Sequence, residues 1–196
     1  MIHKVAVTDM LVSQLFELAN TPFLLRDFRM RWEEFGWSYE PGHSDEFGFH
    51  VYGPNHASMN VVPHGSRVIL AILPFYAWEG YELSWHADPA EYERERVLYE
   101  AEFLATAALG ERILPPPILR WRDADKNAHA AIAWAGDYGV LVLQQAACDL
   151  QFGMEINFWL MRCTSEEFAP HTPLIDWLCA WGNKLHEGRA PLPLQW

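Results

Sequence analysis

Two stretches of the chain, 57–86 and 128–163, present the same order of parts. Each has a β-prone run, a turn that contains glycine and a solidly apolar run. A loop and an alternating strand opened by Gly and Glu follow, at 80–85 in one stretch and 153–158 in the other. A module of a few strands cannot bury a sheet face alone, so we expect the two copies to join in one sheet or to face each other. The repetition predicts a duplicated antiparallel β module.

Helix signals precede the first module. Thr8 or Asp9 can cap a first helix. Thr21 followed by Pro22 is the pattern of an N-cap before a second helix, and Gly36 predicts the end of that helix. The two predicted helices form an N-terminal pair.

The clearest helix start is Asp88 followed by Pro89, an acidic cap before proline at the first helical position. Gly110 predicts the end of this helix. Its apolar stripe at helical spacing consists of Val97, Ala101, Leu104 and Ala108. A second Thr-Pro signal, at 172–173, predicts a final helix that ends near residue 186.

The strand at 68–73 is apolar on both faces, which is typical of a strand in the middle of a sheet. Pro74 follows it, and because proline cannot donate to a ladder, we expect the strand to end there. The links between strands are mostly too short for parallel crossovers, so the pairing is predicted to be antiparallel.

These signals predict one α+β domain, 1–196, built of two related halves. Residues 1–112 hold the N-terminal helices, the first β module and its helix, and 118–196 hold the second module and a C-terminal helix. The Pro-rich stretch 113–117 connects them. Each module is about four strands followed by a helix, and the helices are expected to pack on one face of the sheet.

Composition limits the classes of function. The 196 residues suit one core, and 10 Trp favour an aromatic core or an aromatic binding surface. The net charge of −12 argues against nucleic acid and suits a basic partner. Three cysteines without metal-ligand spacing indicate a reducing compartment, and no apolar run reaches the roughly 18 residues of a membrane helix. We expect a cytoplasmic protein that binds no membrane.

No familiar catalytic signature is present: the sequence lacks a phosphate loop, a dinucleotide fingerprint, a Gly-x-Ser-x-Gly elbow and paired CxxC motifs. We therefore predict no catalytic residue, no metal ligand and no cofactor, and we favour a non-catalytic protein over an enzyme. Scattered residues can still assemble an active site, so the enzyme hypothesis stays open.

Strand parity gives the candidate contact residues. If one face of the sheet carries the helices, residues of the opposite parity present polar, acidic and aromatic side chains on the other face. The loops after the two apolar strands add further candidates. A plain solvated sheet face would explain the same pattern. The predicted partner-binding residues are Trp78, Glu79, Glu82, His86, Asp149, Glu155, Asn157 and Trp159.

Three functions follow from these observations. The leading hypothesis is an acidic binding protein, for example a bacterial immunity-type protein that masks a basic toxin. The alternative is an enzyme, or a small-molecule or metal binder, whose site on the polar sheet face brings together His50, Glu82 and His86. The third is a homodimer built on that face.

Overall fold

The computed structural model describes residues 2–39, 48–78, 89–122, 130–145, 154–165 and 168. This part of the chain forms three α-helices, one 3₁₀ turn at Pro54–His56 and nine strands. The helices are α1 (Asp9–Ala19), α2 (Leu25–Glu34) and α3 (Pro89–Ile113). The strands are β1 (Ile2–Lys4), β2 (Ser38–Tyr39), β3 (Phe49–Tyr52), β4 (Ser58–His64), β5 (Arg67–Trp78), β6 (Leu119–Arg122), β7 (Ala130–Ala135), β8 (Val140–Gln145) and β9 (Met154–Met161).

All described strands belong to one antiparallel sheet in the order β2-β3-β4-β5-β9-β8-β7-β6, with β1 added beside β5. Each half contributes four consecutive strands, and the last strand of one half pairs with the last strand of the other. The predicted α+β fold with helices packed on an antiparallel sheet is confirmed. The two halves join edge to edge through β5 and β9.

The duplication itself remains a prediction. The two similar stretches of sequence align β5 with β8, because both are the apolar run of their module. In the sheet, β5 is the innermost strand of the first half and β9 is the innermost strand of the second half. The symmetric strand order thus matches β5 to β9, whereas the sequence similarity matches β5 to β8.

The main core lies between the helices and one face of the sheet. Alternate residues of the strands point into it, and the helices close it with aromatic and leucine side chains. Phe75 and Phe158 from the two central strands pack with tilted rings, 5.2 Å between ring centroids. Burial of apolar area at roughly 25 cal/mol per Å² is the main source of stability here. The largest fully buried side chains of this core include Leu15, Phe28, Trp32, Tyr99 and Trp134.

The opposite face of the sheet is apolar over β5, β9, β8 and β7. A second buried cluster there includes Leu70, Val142 and Met161. The expectation of a polar second face is therefore wrong for this half of the sheet, because its inner strands carry apolar residues of both parities. Polar side chains of the described strands on this face include His50 and Tyr52 of β3, which are exposed, and Gln144, Glu155 and Asn157 of β8 and β9.

The N-terminal helical pair forms as predicted, with one change. The Thr8 hydroxyl caps α1 by accepting a hydrogen bond from the Leu11 amide at 3.2 Å. Thr21 does not cap α2, because its hydroxyl donates to the Glu17 carbonyl at 2.8 Å and so closes the end of α1. The second helix starts three residues later than Pro22, at Leu25, and ends before Gly36 at a φ of +73°.

Strand β5 continues through Pro74, contrary to the prediction, and runs for 12 residues. Its register against β9 shifts between Pro74 and Tyr76. An irregularity of this kind leaves one residue unpaired and bends the strand, which is how a sheet accommodates a proline. The bend lets β5 pair with β4 at its start and with β1 at its end.

Helix α3 begins at Pro89 as predicted but buries a different face. Its buried residues include Tyr99 and Phe103, whereas the predicted stripe is exposed, with Val97 at 58% and Leu104 at 51%. Both faces are apolar in this part of the helix, so spacing alone could not select the one that packs. The ring of Tyr99 packs on the ring of Tyr76, with 5.9 Å between the centroids, and this contact fixes which face of α3 is buried.

Gly110 does not end α3, which continues to Ile113. It lies against the buried Trp134 of β7, and a Cβ at this position would come within 2.7 Å of the indole ring. The glycine therefore permits close approach of helix and sheet.

We expect Gly110→Ala to lower the free energy of unfolding by about 1–3 kcal/mol, because the added methyl group overpacks the contact with Trp134. Helix propensity alone predicts the opposite sign, a gain of about 1 kcal/mol. Urea denaturation followed by circular dichroism measures the difference. A more stable variant would show that Trp134 can move away.

Candidate functional site

One end of the sheet collects the boundaries of five strands. Trp78, the last residue of β5, pairs with Met154, the first residue of β9. Gln145, which ends β8, pairs with Ala130, which begins β7, and Ala130 also pairs with Arg122 at the end of β6. The segments 79–88, 123–129 and 146–153 therefore all attach to this end of the sheet, which we call the acidic end.

The name reflects the sequence of those three segments. They contain six carboxylates and one Lys, although their own structure lies outside the described residues. The one Arg of a described strand at this end, Arg122, already bonds to Glu100 of α3 at 2.6 Å. The acidic side chains are Glu79, Glu82, Asp88, Asp123, Asp125 and Asp149.

The predicted partner-binding residues fall into two groups. Glu79, Glu82, His86 and Asp149 lie outside the described residues, in segments that attach to the acidic end. Trp78 ends β5 there, with its backbone paired to Ile2 and to Met154. The other three residues lie on β9: Glu155, Asn157 and Trp159.

Those three residues of β9 share the sheet face opposite the helices, as their parity predicts. Only Glu155 is exposed, since Asn157 is 5% exposed and Trp159 is half-buried. The Glu155 carboxylate accepts a hydrogen bond from Asn157 Nδ2 at 3.3 Å, and its backbone carbonyl accepts one from the Tyr99 hydroxyl at 3.1 Å. Glu155 is thus a fixed carboxylate at the acidic end.

Asn157 and Gln144 form a buried cross-strand pair of amides on the same face. The carbonyl oxygens of both side chains lack a hydrogen-bond partner in the part of the chain that the structure describes. A buried polar atom without a partner costs about 1–3 kcal/mol. Sequence parity identified Asn157 but gave no signal for Gln144, because its strand is otherwise apolar.

The alternative site of His50, Glu82 and His86 cannot be assembled from the described residues, since only His50 is among them. That side chain is exposed on β3, with Nδ1 3.3 Å from the Ser58 hydroxyl and its ring stacked on Tyr52 at 6.3 Å. The described ranges contain no group of three His, Cys, Asp or Glu side chains placed to hold a metal ion.

A cavity of about 300 Å³ lies at the other end of the sheet, between the start of α2, the β4–β5 turn and the end of β9. Arg67 and the buried Arg162 line it, with Asp137 as the one carboxylate among the lining residues. Phe23 and Tyr138 supply aromatic walls. Sequence reasoning missed this cavity, because its residues come from four separate segments.

Backbone hydrogen bonds fix the walls of the cavity. The Val68 amide donates to the Phe23 carbonyl at 3.0 Å, and the Tyr138 amide donates to the Ala19 carbonyl at 3.0 Å. The first turn of α2, whose N-cap side chain makes no capping hydrogen bond, points its positive end to the same region. The cavity is therefore bounded by fixed backbone and lined by two guanidinium groups and one carboxylate.

No family model, curated protein or solved structure matches this chain. None of the helices in the described residues is long and apolar enough to cross a membrane.

We expect Gln144→Leu to raise the free energy of unfolding by about 1 kcal/mol, since it removes a buried carbonyl oxygen that has no partner. The matched control is Gln145→Leu on the helix side of the same strand, where the carbonyl oxygen also lacks a partner among the described residues but the side-chain amide donates to Glu100 at 3.0 Å. The control is expected to lose stability. Urea denaturation of both variants measures the two changes in the free energy of unfolding. A less stable Gln144→Leu variant would contradict the conclusion that the Gln144 carbonyl oxygen lacks a partner.

Proposed function

We propose that this protein is a non-catalytic, acidic binding protein of the cytoplasm whose acidic end receives a basic protein surface. The observation that supports the proposal is the register of β5 to β9, which attaches three segments with six carboxylates in all to the end of the sheet that carries the exposed Glu155. Clustered carboxylates steer a basic partner into contact and fix its orientation.

The distribution of charge agrees with this proposal. The described residues contain 13 Asp and Glu against 11 Lys and Arg, out of 26 and 14 in the whole chain. Ten of the twelve excess negative charges therefore belong to the remaining residues, which include the three segments of the acidic end. Elsewhere carboxylates are balanced by ion pairs, such as Lys4 with Glu102 and Arg112 with Asp9.

The partner class that we favour is a basic toxin, which would make the chain an immunity-type protein. The chain's size, acidity and aromatic content support this class. A masking protein needs affinity and a complementary charge, and both can come from a rigid sheet end that carries acidic segments.

Affinity capture from the native host tests the proposal. We expect the wild-type chain to enrich a basic partner, identified by mass spectrometry, and the triple variant Glu79→Gln, Glu82→Gln, Asp149→Asn to bind it at least tenfold more weakly. Three carboxylates lost from one contact correspond to about 1.4 kcal/mol or more. The wild-type complex should also weaken as salt is raised.

The matched control neutralises three exposed carboxylates on the helix side of the molecule, Glu17→Gln, Glu33→Gln and Glu34→Gln. It changes net charge by the same amount but leaves the acidic end intact, so it should bind like the wild type. Equal weakening of both variants, or capture of no basic protein, would contradict the proposal.

The cavity beside Arg67 and Arg162 supports a second candidate function, the binding of a small organic anion. Two guanidinium groups recognise a carboxylate or phosphate, and the aromatic walls of Phe23 and Tyr138 suit an apolar group attached to it. This candidate site is different from the one at His50, Glu82 and His86 that the sequence predicted.

Benzoate and inorganic phosphate are suitable probes for that cavity. We expect benzoate to raise the Tm of the wild type, because a ligand that binds only the folded state stabilises it. The Arg67→Gln variant should need at least a tenfold higher benzoate concentration for the same rise in Tm. The Arg26→Gln variant, whose side chain is 80% exposed on α2, should respond like the wild type. An equal response of the two variants, or no shift with either probe, would exclude the site.

A further inference from the structure

The face of the sheet opposite the three described helices, here called the second face, is buried as well. Leu70, Val142 and Met161 of its apolar cluster are 3%, 0% and 0% exposed. Among the described residues, this cluster takes no member from α1, α2 or α3. A sheet face that is open to water leaves its side chains partly exposed. The burial of this cluster therefore requires a cover that the described helices do not provide.

Two polar side chains of the second face give the same indication. Gln144 is 4% exposed and Asn157 is 5% exposed. Amide groups on an open sheet face are hydrated, and taking them out of water without partners for their oxygens costs free energy. Their burial is thus imposed by what packs over them, and it is not a preference of the amides themselves.

The last described residues of the chain already lie on the second face. Cys163 and Phe168, which follow β9, both belong to its apolar cluster and are each 5% exposed. The Phe168 amide donates to the Thr164 carbonyl at 3.0 Å, which fixes the chain there. Only three residues separate Phe168 from Thr172, where the sequence predicts the start of a final helix. The segment 169–196 thus continues from a residue that is packed on the second face.

The predicted helix 172–186 lies outside the described residues, and its sequence is amphipathic. Asp176 and Asn183 fall at one angular position, opposite an apolar stripe. This division is typical of a helix that packs with one side on another element. The stripe recurs at helical spacing and consists of Leu174, Leu178, Trp181 and Leu185, which we call the C-terminal stripe.

We propose that the segment 169–196 packs on the second face through the C-terminal stripe, so that the sheet lies between two layers of helices. A helix over 172–186 is about 22 Å long. The second cluster and the side chains packed against it reach from β5 to β6, about 19 Å across at the usual strand spacing. A single helix of this length is therefore sufficient to cover the apolar cluster.

The other segments outside the described residues fit this face less well. The apolar row that ends at Val140 lies about 17 Å along β8 from the acidic end. Segments 123–129 and 146–153 leave and return at the acidic end, and 79–88 leads from there to α3 on the helix side. These three segments also carry six carboxylates, which are costly to bury on an apolar cluster. The segment 40–47 joins β2 to β3 at the outer edge of the sheet.

A nitroxide label tests the placement without disturbing the contact. The label is attached through Asn183→Cys, on the polar side of the predicted helix, in a full chain whose three native cysteines are replaced by serine. We expect it to remove the methyl resonance of Met161 in the second cluster. The methyl resonance of Met10, which is 55% exposed on α1 on the helix side, should stay visible. A Met161 resonance that also stays visible overturns the proposal.

The reactivity of the Cys163 thiol tests whether the C-terminal stripe provides the cover. In a full chain that carries Cys148→Ser and Cys179→Ser, we expect Leu178→Glu to raise the rate of Cys163 labelling at least tenfold. The reason is that a carboxylate cannot stay on the apolar cluster. The matched control, Asn183→Glu, adds the same charge on the polar side of the helix and should leave the rate unchanged. A thiol reagent that changes absorbance on reaction measures both rates.

A second thiol distinguishes local opening of the second face from unfolding. The substitution Ala107→Cys, in a full chain without the native cysteines, reports on the main core, since Ala107 is 6% exposed on α3. With Leu178→Glu, this probe should stay slow while Cys163 becomes fast. Slow labelling of Cys163 in the Leu178→Glu variant overturns the proposal. If both probes become fast, the chain has unfolded and the nitroxide measurement decides.

Discussion

The pairing of β5 with β9 is the interaction on which the rest of the fold depends. Each half of the chain provides four strands of the sheet order, with β1 as a fifth from the first half, and either half alone would leave open sheet edges and a core that lacks one side. Joining the two inner edges creates a continuous apolar face wide enough for three helices. It also determines which chain segments lie at the acidic end, because the register of β5 against β9 fixes where both strands stop.

Helix α3 links this central pair to the outer strands. Near its middle it contacts Tyr76 and the backbone of Glu155 through Tyr99, and farther along it lies on Trp134 at Gly110. These aromatic contacts fix the rotation of the helix about its own axis. The outward direction of Val97 and Leu104 is a consequence of that rotation.

Local patterns in the sequence predicted much of the fold. Alternation assigned the faces of β3 and β9, the caps placed the starts of α1 and α3, and the short links implied antiparallel pairing. Prediction was wrong where local rules allow two outcomes: α3 is apolar on two sides, and a bulge can carry Pro74. The candidate sites depend on strand order and register, which are set by contacts between distant residues, so parity identified Glu155 but not the cavity beside Arg162.

The central position of β9 also has a consequence for synthesis of the protein. β5 is made early, yet its partner β9 emerges from the ribosome only after α3 and three further strands have been made. Until then the longest strand of the sheet has an unpaired, largely apolar edge, the kind of surface on which chains aggregate. Closure of the sheet is a long-range event and is therefore slow compared with helix formation. The nascent chain would benefit from a chaperone that occupies the edge of β5 until β9 replaces it.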